Sequence, residues 1–150
     1  GDADALVAGP SGLYEEQLEP IADVIGLRPG ARLFAALSVS LLPERTLFIT
    51  DTYVNENPSA EDIAAITLMA AEEVRRFGLV PRIALLSHSS FGSARGESAR
   101  KMSRACEILI ETAPGLEVDG EIHIEGFILP ELPASACIRD RVSPAPRTCW

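Results

Sequence analysis

The chain is short of positive charge, of cysteine and of long apolar runs, and each shortage closes off a class of function. Its 13 Lys and Arg stand against 22 Asp and Glu, a formal net charge of −9. A nucleic-acid backbone selects a positive surface, so nonspecific DNA or RNA binding is not expected. A small phosphorylated ligand answers to local charge and stays open. The three cysteines, Cys106, Cys137 and Cys149, are odd in number and lack metal-ligand spacing. They predict reduced thiols in a cytoplasmic protein, and no metal site. No apolar run approaches the ~20 residues of a membrane span, and no basic segment leads into an apolar one at the start, so neither membrane nor signal peptide is expected. Walker-type and Gly-rich dinucleotide loops are missing as well.

What is present suits a core. The 150 residues are 47% hydrophobic, enough for one α/β domain or a piece of a larger protein. The chain opens on Gly1-Asp2-Ala3-Asp4 and passes at once into an apolar run, as a truncated fragment would. Ala5–Gly9 predicts a short strand. Ser11 is placed to cap a helix with apolar positions Tyr14, Leu18, Ile21, Ala22 and Ile25, which Pro20 should kink or split. Leu33–Leu42 predicts a long central strand, and Thr46–Thr50 a second one paired with it as a hairpin.

The best-defined helix begins at Ser59, an N-cap with Asp62 three residues on, close to a capping box. Ile63, Ile66, Ala70, Val74 and Phe77 form its apolar stripe, and Gly78 its stop. Ile83–Leu86 predicts a strand, Ser98–Ala113 a helix burying Met102, Ala105, Cys106 and Leu109, and Leu116–Ile122 a further strand. This alternation points to a three-layer αβα domain with a mainly parallel sheet over residues 1–125. Residues 126–150, interrupted by Pro133, Pro144 and Pro146, show no helix or strand period and form an atypical tail.

Ligands of such sheets lie outside the carboxyl ends of the strands. Three polar clusters fall there: Asp51, Thr52 and Asn55; Ser87, Ser89, Ser90, Gly92 and Ser93; and Asp119 with Glu121. The second lies between a strand and a helix, where hydroxyls, backbone N–H groups and the helix start converge on an anion. Arg95, Arg100 and Lys101 add positive charge beside it. Each cluster also has a plain structural reading. Asp51 and Asn55 suit loop backbone groups, the serines suit turns and caps, and Asp119 and Glu121 suit solvated strand ends as well as an acid/base pair. His88 and His123 read as structural histidines.

Together, Asp51-Thr52-Tyr53-Val54-Asn55 with the Pro58-Ser59-Ala60-Glu61 helix entry, Leu86-Ser87-His88-Ser89-Ser90-Phe91-Gly92-Ser93 and Val118-Asp119-Gly120-Glu121 resemble the phosphate acetyl/butyryltransferase family. The resemblance runs from about Gly1 to His123. It implies a phosphotransacetylase-like architecture related to isocitrate and isopropylmalate dehydrogenases, a CoA ester or phosphate ligand at the three clusters, and a homodimer or higher assembly. Ile25-Gly26-Leu27-Arg28-Pro29-Gly30, Ala70–Gly78 and Ser98-Ala99-Arg100-Lys101-Met102 are similar to the C-terminal domain of large bacterial NADP-dependent malic enzymes. That branch implies a domain responding to acetyl-CoA, with NADP and a divalent metal only on the absent dehydrogenase part.

True acetyltransferases of the family tend to carry Lys where this chain has Phe91, and the family's Ser-Arg catalytic segment has no match here. A catalytic phosphate acetyltransferase, moving acetyl between CoA and phosphate, therefore stands as the alternative. An oligomerisation domain binding nothing is the second alternative. The tail departs from the family's expected ending and admits reading as an out-of-frame translation.

Overall fold

The computed structural model describes residues 6, 7, 9, 11–43, 45–52 and 54–124. Its elements are α1 (Tyr14–Val24), β1 (Ser38–Leu41), β2 (Thr46–Ile49), α2 (Ala60–Arg76), β3 (Arg82–Leu86), α3 (Glu97–Thr112) and β4 (Glu117–Ile122). The α/β class follows from β3, α3 and β4: the two strands pair in parallel and α3 is the crossover between them. β1 and β2 form the expected antiparallel hairpin, with Ser38 opposite Ile49 and Leu41 opposite Thr46. Among the described residues the strands lie in these two separate pairs.

The core lies where α2 and α3 meet over β3 and β4. Ala60, Ile63, Ala64 and Ala71 of α2 cluster with Ala105, Cys106 and Leu109 of α3, and with Leu85, Leu116 and Val118. Small residues on the facing helix surfaces let the helices come close, and Leu109 is the largest fully buried apolar side chain. α2 begins as its sequence predicts. Ser59 Oγ accepts the Asp62 N–H at 3.1 Å, and Asp62 Oδ2 accepts the Ser59 N–H at 3.2 Å. It ends in a Schellman motif, with Gly78 N–H on Arg75 O, Leu79 N–H on Val74 O, and Gly78 at φ +76°.

Five expectations need correction. The N-cap of α1 is Leu13, not Ser11, because the Glu16 carboxylate accepts the Leu13 N–H at 3.0 Å. α1 is assigned without a break through Pro20, and none of its residues is buried. The long strand Leu33–Leu42 shrinks to Ser38–Leu41, because the Phe34 carbonyl and the Ala36 N–H and carbonyl are taken by side chains of the loop after β2. The α2 stripe is rotated toward Ala64, Thr67 and Ala71, leaving Phe77 63% exposed with its ring 5.3 Å from that of Phe48. In the expected strand Ala5–Gly9, Leu6, Val7 and Gly9 are not in a strand; Ala5, Ala8 and the tail from 125 onward lie outside the described residues.

Candidate functional site

The serine loop after β3 is built around Glu121. β4 carries one residue more than its partner here: Leu85 pairs with Gly120 and Leu86 with Ile122, so Glu121 is the extra residue of a bulge. A bulge turns a side chain away from the regular alternation. Gly120 makes this approach feasible. It sits at φ +141°, and a Cβ there would stand 2.8 Å from both Cβ and the carbonyl oxygen of Leu85. Asp119 and Glu121 thus fall inside β4 instead of beyond its end, and they face different surroundings.

Glu121 is 2% exposed. One carboxylate oxygen, Oε1, accepts Ser89 O–H at 2.9 Å and Gly92 N–H at 2.6 Å, and its backbone carbonyl accepts Phe91 N–H at 2.9 Å. Burial pushes its carboxyl up, but the Gly92 and Ser89 bonds, helped by Ser103, outweigh that and hold it below the ordinary glutamate range. Ser89 Oγ in turn accepts Ala94 N–H at 3.0 Å and lies 3.3 Å from Ser93 Oγ, which accepts Ser90 N–H at 2.9 Å. Ser90 and Ser93 close a turn, Ser93 N–H to Ser90 O at 3.1 Å, with both central residues at positive φ: Phe91 at +50° and Gly92 at +84°. Ser87 Oγ accepts Ser89 N–H and Ser90 Oγ accepts His123 N–H.

Asp51, after β2, is a second hub. Its Oδ1 accepts Ala36 N–H at 3.0 Å and Val54 N–H at 3.4 Å, and its Oδ2 accepts Asn55 N–H at 2.9 Å and the Asn55 carboxamide. Asn55 also donates to Phe34 O at 2.9 Å. Burial raises the Asp51 carboxyl, and the bonds from Ala36, Asn55 and Val54 bring it below its usual value. Thr52 is exposed.

The structure therefore joins two of the three predicted clusters directly: Ser87–Ser93 meets Glu121. Asp51 and Asn55 bind backbone of their own neighbourhood. Their loop reaches the other side of the site through Lys101 of α3, whose ammonium donates to the Asn57 side chain. Arg100 donates to Arg95 O at 2.6 Å. Asp119 accepts the Gly120 N–H. His88 Nδ1 lies 3.4 Å from Ser98 Oγ at the start of α3, a long contact on an exposed surface. Among the described residues, no group of three or more His, Cys, Asp or Glu could hold a metal.

Sequence reasoning missed two features. The bulge leaves no mark in residue spacing except the glycine before Glu121. The segment 26–37 also lies over α2, held by Arg28–Glu72 at 2.8 Å and Arg32–Asp62 at 3.6 Å, and leaves an open hollow of about 270 Å³ lined by Leu33, Phe34, Ile66 and Met69.

A parallel βαβ unit with a polar loop at the strand ends, held to its own bulged second strand, defines an α/β domain. The chain belongs to the phosphate acetyl/butaryl transferase family, whose model matches residues 1–142. It is 49% identical to an NAD-dependent malic enzyme of Rhizobium meliloti over 96% of the chain, and 51% identical to an NADP-dependent malic enzyme of Escherichia coli over 82%. A phosphate acetyltransferase of Acetivibrio thermocellus is 32% identical over 90% of the chain. The chain spans 18%, 16% and 43% of the length of these three relatives. The solved structure of a Streptococcus pyogenes phosphotransacetylase superposes with a TM-score of 0.72 at 27% identity, covering 84% of this chain and 39% of that one. The EutD phosphotransacetylase of Staphylococcus aureus gives 0.68 at 25%, covering 79% and 37%.

Proposed function

We propose that the chain is the phosphotransacetylase-like domain of a malic enzyme, a protein that oxidatively decarboxylates malate to pyruvate with NADP, and that it binds acetyl-CoA as a regulatory ligand without turning it over. The observation that carries this reading is the contrast in identity: 49% and 51% to two malic enzymes against 32% to a phosphate acetyltransferase. The loop chemistry supports it. Ser89 is 1% exposed, and its hydroxyl donates a hydrogen bond to Glu121 and accepts Ala94 N–H, so it is a buried structural link out of a substrate's reach. Phe91 supplies no cation to an acyl phosphate.

The ligand surface we assign comprises Thr52, Ser87, Ser90, Gly92, Ser93 and Asp119, with Arg95, Arg100 and Lys101 nearby; Asp51 and Asn55 brace the loop after β2, and Ser89 and Glu121 the loop after β3. NADP and a divalent metal belong to the dehydrogenase part, and the assembly is a homodimer or larger in the cytoplasm. Calorimetric titration of the intact protein with acetyl-CoA, followed by an assay for acetyl phosphate formation with phosphate, tests the proposal. Binding without turnover is the expected result. Acetyl phosphate formation would establish the transferase reading instead, and absence of binding in folded protein would leave an oligomerisation domain.

A further inference from the structure

We propose that Glu121 is the resident anion of the Ser87–Ala94 loop, a tethered carboxylate seated where a strand–loop–helix turn of this kind would otherwise take an anion from solution. The loop has the donors of an anion cradle. Ser89 O–H and Gly92 N–H point at one oxygen, from 2.9 Å and 2.6 Å, and Phe91 N–H reaches the same residue's carbonyl at 2.9 Å. Phe91 and Gly92, both at positive φ, form the turn that brings the Phe91 N–H onto the Glu121 carbonyl and the Gly92 N–H onto its carboxylate. Glu121 is 2% exposed.

The seat is filled from 29 residues away, and two otherwise unexplained features of β4 account for how. The bulge between Leu85 and Leu86 inserts Glu121 as an unpaired residue. Gly120, where any Cβ would strike Leu85, lets the bulged strand come close enough for the carboxylate to reach. The remaining bonds form a second ring behind the first: Ala94 N–H on Ser89 Oγ, and Ser90 N–H on Ser93 Oγ. The inference rests on the proposed ligand site in one respect only. If a CoA or phosphate group meets this loop, it meets the exposed outer side at Gly92 and Ser93, because the inner donors are already engaged.

Chemical rescue tests the seat without any CoA ligand. In the intact protein, Glu121→Ala should lower the melting temperature, and formate or acetate should restore part of the loss while chloride at equal ionic strength should not. The wild type should show no gain from formate, since its seat is taken. Equal shifts in wild type and variant, or a Glu121→Ala protein as stable as the wild type, would overturn the proposal. If Glu121→Ala does not fold, Glu121→Gln decides by NMR with glycine-specific labelling. The Gly92 amide proton should lie far downfield in the wild type and move upfield once the carboxylate charge is gone; no difference would overturn the proposal. Failure of the wild type to bind acetyl-CoA bears on the proposed function alone and leaves both readouts standing.

Discussion

The loops after β2 and after β3 are each organised by a carboxylate, and they do it over different distances. Asp51 takes the N–H groups of Val54 and Asn55, three and four residues on, and one further N–H from Ala36. Glu121 takes all of its loop partners from 29 to 32 residues away. Asp51 sits between a hairpin and a segment without regular structure, where none of the strand residues is fully buried. Glu121 sits on the strand pair that backs the core. The first loop combines bonds within itself with ties to residues 34–36, ahead of the same hairpin; the second exists only if β3, α3 and β4 have already assembled.

The comparison breaks most visibly at the core. Leu109→Ala removes a fully buried side chain and should cost about 2–5 kcal/mol in denaturant unfolding. Amide exchange should show the serine loop losing protection with the core while the Asp51 loop loses less. Equal losses in both loops would erase the distinction. Gly120→Ala comes next, at about 2–3 kcal/mol, because the methyl group meets the Leu85 backbone in a conformation that disfavours it. It should disturb the Ser89 and Gly92 amide signals and leave Asn55 unchanged.

Asp51→Ala should cost about 1–3 kcal/mol by orphaning half-buried N–H groups of Ala36 and Asn55, with the serine loop intact by NMR. Acid sharpens the same contrast. Both carboxyls are held below their ordinary range, so the stability they confer is complete above the unfolded values near pH 4 and is lost as pH falls through the lower folded ones. Unfolding at pH 5 and pH 3 should show a smaller acid loss in Asp51→Asn than in the wild type, an outcome that an unperturbed Asp51 would not produce. The smallest effect is expected at the α2 cap, where Ser59→Ala should cost about 1 kcal/mol and leave both loops unchanged.

How much of this was legible follows from range. The hairpin, the Ser59–Asp62 cap, the Gly78 stop and the α3 burial of Ala105, Cys106 and Leu109 are written in neighbouring residues, and all are present. The apolar run Leu33–Leu42 is longer than the strand it yields, Ser38–Leu41, because apolar composition is silent about side chains elsewhere. Asn55, Asp51 and Thr50 claim the groups that a ladder would have used.

The same limit governs the serine loop. Its residue types alone announced converging hydroxyls and N–H groups on an anion, since donors clustered between a strand and a helix point the same way wherever they occur. The identity of the partner was decided only in three dimensions. A one-residue slip against Leu85, permitted by a glycine, delivers Glu121 to donors that nothing in linear spacing connects to it. Periodicity and capping are local properties of a chain, whereas the register of parallel strands joined by a helix is set by packing across the whole unit.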